Sequence, residues 1–521
     1  MIEQIFVQLQ VLGLNSNQLV GALPETWSNL TNLAGLYLGN NQLKGKLPES
    51  WGNFSSLSYL DISINKLTGA LPNNWDAFNQ LLYLDASVNN ITSTIPGSWS
   101  NLTQLQVLSL SKNQLMGTLP DLSNLTNLQS LLLGNNHLTG SLSQTWTWST
   151  NLTRVELQEN LLVGTLPNWA GLTQLLWANL TQNQLVGTLP DWSDCTLLRF
   201  LTMSGNKLSG SLPSSWGDFT QMATLDLSRN RLVGILPESW GKLGSVPILE
   251  TLTVDLSENL LIGTLPHSWA DLTKMYSLNL HQNMLVGTLP DSWKHLTSLV
   301  GLSMRDNQLT GSLPKTWSNL TNLQELDMST NQLVGDLPET WSSLVSLRGL
   351  GLQANRLFGS LPSSWSNMQN LLSLALYSNQ LMGTLPPSWS ELVNLSLLGL
   401  HENRLEGTLP EEWSKFTSLY DMSLGYNALE GTLPDSWKLN KELQYVNLAY
   451  NRLQGSLPPS WSSLSKVTHF LLSSNFFIGR VPATWSNWSE VGAQPLLTYG
   501  SCLPCLTPCF LIFDCRLCSL D

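Results

Sequence analysis

Apolar positions along the chain fall into two short runs separated by a fixed polar signal. Each unit reads L-x-L-x-x-N-x-L-x-G-x-L-P-x-x-W-x-x-L-x-x-L, as in "LDMSTNQLVGDLPETWSSLVSL" (326–347). The Asn of that signal recurs from Asn17 to Asn475, and the step is 24 residues in fifteen of nineteen intervals. Three steps of 23 each lack one residue after the Pro, as in "LPDLSN" and "LPNWAG". One step of 29 carries an insertion around "GSVPILE" (244–250), which is expected in a loop. The L-x-L portion alternates like a short strand, Leu inward and its neighbours outward. A three-residue strand cannot stand alone. Stacked on identical strands from adjoining turns, it predicts one parallel sheet over a shared leucine core.

The remaining fixed positions fit that stack. Asn carries donors and an acceptor on a short arm, so it can bond backbone groups left free where the chain leaves the sheet. Asn283, Asn307, Asn331, Asn355 and Asn379 represent this ladder. Gly suits a turn that needs positive φ, and Pro suits a stretch where no donor is wanted. Trp occupies its column in nineteen of twenty units, with Leu122 in the other. An exchange of Leu for Trp at the phase of the core predicts burial on the side away from the sheet. The pattern as a whole predicts a leucine-rich-repeat solenoid, an α/β-type repeat fold of mostly short parallel β with irregular or 3-10 convex turns. It spans residues 1–490 in about 20 repeats of 24 residues.

Composition narrows the function. The net charge is 24 − 36 = −12, and no basic patch occurs, which argues against nucleic acid or anionic lipid as partner. No run of eighteen apolar residues is present, so no transmembrane helix is expected. Five of six cysteines lie in the tail, 491–521, so the repeats are expected to need no disulfide. The tail spacing C-x2-C-x3-C-x5-C-x2-C leaves three readings open: a disulfide-closed cap, a zinc site or a weak lipid-anchor signal, beside a misjoined end. The chain enters its first repeat at once, without a signal peptide or polar cap, and an incomplete N-terminus is the expectation.

The L-x-G-x-[IL]-P segment resembles the plant-type leucine-rich repeats of receptor kinase ectodomains and polygalacturonase inhibitors. The phrases "GTLPDSW" and "GTLPESW", followed by "SNLTNL", look similar to kinetoplastid surface antigens of the promastigote type. These resemblances imply a right-handed horseshoe or superhelix, a concave parallel sheet, a short second sheet and a place at the cell surface or outside the cell.

No P-loop, G-x-S-x-G, H-E-x-x-H or kinase motif occurs, and the six His are scattered. No enzyme, metal or cofactor is expected. Ten sequons fall among the 25 Asn outside the ladder, about twice what chance supplies. Asn29, Asn53, Asn101, Asn151, Asn319 and Asn394 are the leading glycosylation candidates. Specificity is expected at the outward strand positions. Gln353, Tyr377 and His401 occupy successive turns, with Tyr426, Tyr445 and Tyr450 on the next ones, a stretch of roughly 25 Å. Asp61, Asp85, Glu156, Asp226, Asp255 and Asp327 form an acidic column expected to tune association rate. The expected function is recognition of a protein or glycan. An inhibitor of a secreted hydrolase and an intracellular scaffold are the rivals.

Overall fold

The computed structural model describes residues 8–144, 149–246 and 251–486. The chain divides into two compact units, Met1–Met284 and Leu285–Asp521, and each is a leucine-rich-repeat solenoid. In the first unit, parallel strands run in register from Val11–Gly13 to Met275–Asn279. In the second they run from Gly301–Ser303 to His469–Leu471. The expected strands of one inward Leu and two outward neighbours are therefore present. A second set of parallel strands forms in each unit at L-x-G, as in Lys207–Ser211 with Arg231–Gly234, and Arg404–Thr408 with Ala428–Gly431.

One repeat shows how the sequence builds the turn. Leu36, Leu38, Leu43, Leu47, Trp51, Phe54 and Leu57 are all buried. Pro48 is extended at φ −70° and begins a 3-10 turn, Glu49–Asn53. The carbonyl of a Pro in this position takes two donors. Pro24 O accepts the Trp27 N–H at 3.3 Å within its own turn and the Trp51 indole N–H at 3.0 Å from the next. Proline lacks a donor to leave unmet there, and its fixed φ sets the carbonyl in place. The indoles stack in parallel, 6.3 Å apart between Trp51 and Trp75 and 6.3 Å between Trp293 and Trp317.

The Asn ladder joins turns in the same manner. Asn355 donates to the Met328, Leu352 and Gln353 carbonyls, and its Oδ1 accepts the Leu333 N–H at 3.0 Å. Thus each amide ties its own bend to the turn before it. Asn283, Asn307, Asn331 and Asn379 repeat this form, each Oδ1 taking a backbone N–H from the previous turn. The residue before each ladder Asn is left-handed, with φ 66° at Gly205 and 50–57° at the others, even where they are Ile64, Val88 or Lys112.

The insertion leaves the sheet intact. Thr224, Leu225 and Asp226 pair with Thr253, Val254 and Asp255, and a register shift at Leu252/Thr253 leaves one extra residue, Tyr276, on the strand that follows. Cys195 stands in the core, its thiol directed to the Trp169 carbonyl at 3.2 Å. The cysteines of the tail and Asn487 lie outside the described residues. Among the described residues no helix is long and apolar enough to cross a membrane.

Candidate functional site

Strand alternation presents three outward columns on the main sheet of the second unit. The first column runs Glu325, Gly349, Ser373, Leu397, Asp421, Tyr445 and His469. Beside it runs Asp327, Gly351, Ala375, Gly399, Ser423 and Asn447. Arg305, Ser329, Gln353, Tyr377 and His401 follow, each one residue beyond the next inward side chain.

The six residues singled out from sequence therefore do not form one row. Gln353, Tyr377 and His401 share the third column. Tyr426 and Tyr450 stand one residue later, in the left-handed bend, at φ 54° and 55°. Tyr445 opens its strand and belongs to the first column, where it pairs with Asp421 and His469. The unequal offset has a simple origin: the repeat fixes the Asn, and these tyrosines stand at different distances before it.

Rings assemble into two stacks. Tyr377 and His401 lie 4.3 Å apart between centroids and 12° from parallel. Tyr426 and Tyr450 match them at 4.3 Å and 11°. Gly399 is needed below the first stack, because a Cβ there would stand 3.1 Å from the Tyr377 ring. Between the columns lies a floor of small residues, with Gly349, Gly351, Ala375 and Gly399 buried. Ser373 is only 7% exposed.

Three polar atoms of this face are buried without any hydrogen-bond partner: Gln353 Oε1, Ser373 Oγ and His401 Nδ1. Burial also holds the His401 imidazole below its ordinary pKa, with the nearby Glu402 opposing. Asp421 is pushed up to about 6 by burial alone. Glu325 is pushed up to about 7, chiefly by burial, with Arg348 lowering it and Asp327 raising it.

The acidic column has a different occupation from the one expected. Asp226, Asp255 and Asp327 each accept both the N–H and the hydroxyl of a Ser two residues on, Ser228, Ser257 and Ser329. Asp61 does the same with Ser63. These carboxylates brace the bend at the strand end. Glu156 instead pairs with Arg154.

Sequence reasoning overlooked two ring clusters in the first unit. Tyr37, Tyr59 and Tyr83 stack in sequence at 6.5 and 5.9 Å, and Trp177 lies 4.2 Å from Phe200 with Arg154 over its other side at 5.1 Å. Most of these stand at the start of the strand, a different column from that of Gln353, Tyr377 and His401. The candidate glycosylation residues Asn29, Asn53, Asn101, Asn151, Asn319 and Asn394 are all exposed on the convex side. Thr118, one of the recurrent threonines before Leu-Pro, has its methyl over Gly140, where a Cβ would meet it at 2.6 Å.

Residues 7–67 and 273–333 match the family described as Leucine rich repeat, and 104–125, 197–219, 221–243 and 442–464 match a second description of the same repeat. Among solved structures, a plant peptide hormone receptor, RGFR1 in complex with RGF2, is 31% identical over 94% of this chain and 78% of that one, with a TM-score of 0.90. The PEPR1–AtPEP1 structure is 30% identical over 94% and 75%, with a TM-score of 0.77. The Arabidopsis receptor kinase HAESA, in complex with the peptide hormone IDA and the co-receptor SERK1, is 29% identical over 92% and 85%, with a TM-score of 0.80. No curated protein matches the chain by sequence. The fold and its repeat define a leucine-rich-repeat solenoid. The chain belongs to the leucine-rich-repeat family and is similar to plant receptor ectodomains.

Proposed function

We propose that this is a non-enzymatic recognition protein of the cell surface or extracellular space, binding a peptide or protein on the outward sheet face of its second unit. One observation carries the reading: Gln353 Oε1, Ser373 Oγ and His401 Nδ1, on three adjoining turns of this face, are buried without a hydrogen-bond partner. Each such group costs about 1–3 kcal/mol unless something answers it. The fold answers most of its polar positions, as the Asn ladder shows, with Gln158 Oε1, Trp177 Nε1 and Arg199 Nε in the first unit and Asn440 Oδ1 in the second as further exceptions among the described residues. In the second unit the first three groups share a face with the Tyr377–His401 and Tyr426–Tyr450 stacks, and that combination favours it as the surface completed by a ligand. Stacked rings beside them supply rigid area of the kind that anchors interfaces. Similar receptors are solved with peptide hormones in place, and the "GTLPDSW" phrases support a surface-antigen form of the same role. Glycans on the exposed convex Asn residues would leave this face clear.

A displayed library of random peptides, panned on the full chain, tests the reading. Alanine at Tyr377, His401 and Tyr450 together should weaken the selected peptides by about thirtyfold or more, as loss of an anchor worth ~2 kcal/mol implies. The matched triple at Tyr37, Tyr59 and Tyr83 should leave affinity unchanged. The opposite ranking would place recognition in the first unit.

A further inference from the structure

The face proposed to receive the ligand also constrains the chemistry of what it receives. In the first column, Ser373 lies midway between two acids: Glu325 is two strands to one side and Asp421 two strands to the other. At ~4.8 Å per strand the acids are about 19 Å apart, the length of five or six extended residues. Between them stand Gly349, Ser373 and Leu397, flanked by Gly351, Ala375 and Gly399, so Leu397 is the one large side chain beneath a chain laid across the strands.

Neither acid is neutralised from within. Asp421 is faced by Leu397 on one strand and Tyr445 on the other, with Ser423 beyond it on its own strand. None of these is a cation. Glu325 is faced by Gly301 and Gly349 on its two neighbours, by Asp327 on its own strand and by Arg348. Glu325, Asp327 and Arg348 sum to −1, and Glu325 and Arg348 form no ion pair among the described salt bridges. Each end of the floor therefore holds one uncompensated negative charge, partly removed from water. Half-buried carboxylates without a partner are expensive. A cation brought by a ligand would relieve both.

We propose that the sheet face of the second unit receives an extended basic peptide, with one cationic side chain against Glu325, another against Asp421, and the intervening backbone over Ser373. The proposal rests on the recognition reading above. In it, Ser373 Oγ and Gln353 Oε1 meet the peptide backbone, and the charged ends set its register. Acidification acts in one direction at every group: protonation removes charge from Asp421 and Glu325 and adds it to His401.

The test uses the full chain and the same displayed library, selected at pH 8 and again at pH 5. Peptides selected at pH 8 should carry two Lys or Arg five or six positions apart, and this enrichment should vanish at pH 5. Asp421→Asn and Glu325→Gln should each weaken a selected peptide about tenfold, each erasing the preference for a basic residue at one end only. Both variants replace a carboxylate that burial disfavours, so each should unfold no earlier than the parent at pH 8, which separates lost recognition from lost fold. Ser373→Ala should weaken binding without changing the charge preference. Selected peptides that depend on Tyr377 and His401 yet lack a basic pair overturn this proposal and leave the recognition face standing. Absence of any enriched peptide overturns both.

Discussion

A left-handed bend precedes every ladder Asn, and its occupants are seldom suited to it. Left-handed backbone costs an ordinary L-residue roughly 1–2 kcal/mol, and a β-branched one is the least tolerant. Ile64 at φ 50° and Val88 at φ 54° both carry that cost, and they are 48% and 39% exposed, so little burial repays it. Asn40 and Asn135 occupy the same position in other turns. Ile64→Asn and Val88→Asn should therefore each raise stability by about 1 kcal/mol in urea unfolding. A fall would mean that the exposed side chain packs more than its exposure indicates. The bend was not legible in the sequence, because Ser, Lys, Glu, Tyr and Ile alternate there and only Gly205, Asn40, Asn135 and Asp306 announce it. The unanswered Ser373 hydroxyl was equally invisible: Ser is among the commonest residues on this face, and only its burial sets it apart. By contrast, the exchange of Trp for Leu122 was sufficient to read the Trp column as buried.

At the scale of the element, the 3-10 turn and its indole act as one fastening. Trp317 is 1% exposed, and its N–H reaches the Pro290 carbonyl at 3.0 Å. Trp317→Ala should cost about 3–5 kcal/mol through the cavity it leaves. Trp317→Phe should cost much less, because Pro290 O keeps the Trp293 N–H at 3.1 Å and loses only one of two donors. Equilibrium unfolding of the two variants separates the packing from the hydrogen bond. Equal losses would assign the whole effect to the bond. Strands, turns and ladder were all evident in the 24-residue step, since each is fixed by a residue type with one plausible use. What the step concealed was the column to which a variable residue belongs. Tyr426 and His401 look adjacent in an alignment by turns, yet Tyr426 stands in the left-handed bend and His401 one residue before the bend of its own turn.

For the whole molecule, the repeats supply their own cohesion. Among the described residues Cys195 is the free cysteine, buried and pushed up to about 12 by that burial, with Asp194 adding to it. No group of His, Cys, Asp and Glu among them could hold a metal. Thermal unfolding of the described solenoid should be unchanged by a reductant with a chelator. A large loss would show that the tail, or a metal, holds the repeats. Stability in the absence of ligand should also respond to pH. Asp255, Glu325 and Asp421 have raised values, to about 6, 7 and 6, so the folded chain binds more protons than the unfolded one between about pH 7 and pH 4. Stability contributed by these groups therefore rises as pH falls from 8 to 5. His401, held below its ordinary value, opposes the trend alone among the shifted histidines. Asp421→Asn should flatten part of this slope.

The column of parallel indoles has a consequence in its optics. Trp341, Trp365, Trp389, Trp413, Trp437 and Trp461 hold adjoining rings at 6.0–6.5 Å and within 11° of parallel. Transition dipoles that close and that aligned exchange excitation faster than they emit it. Light absorbed anywhere in the row is shared along it, so a single quencher at one turn would darken its neighbours too. The chain carries its own antenna, running beneath the face where the ligand is proposed to bind.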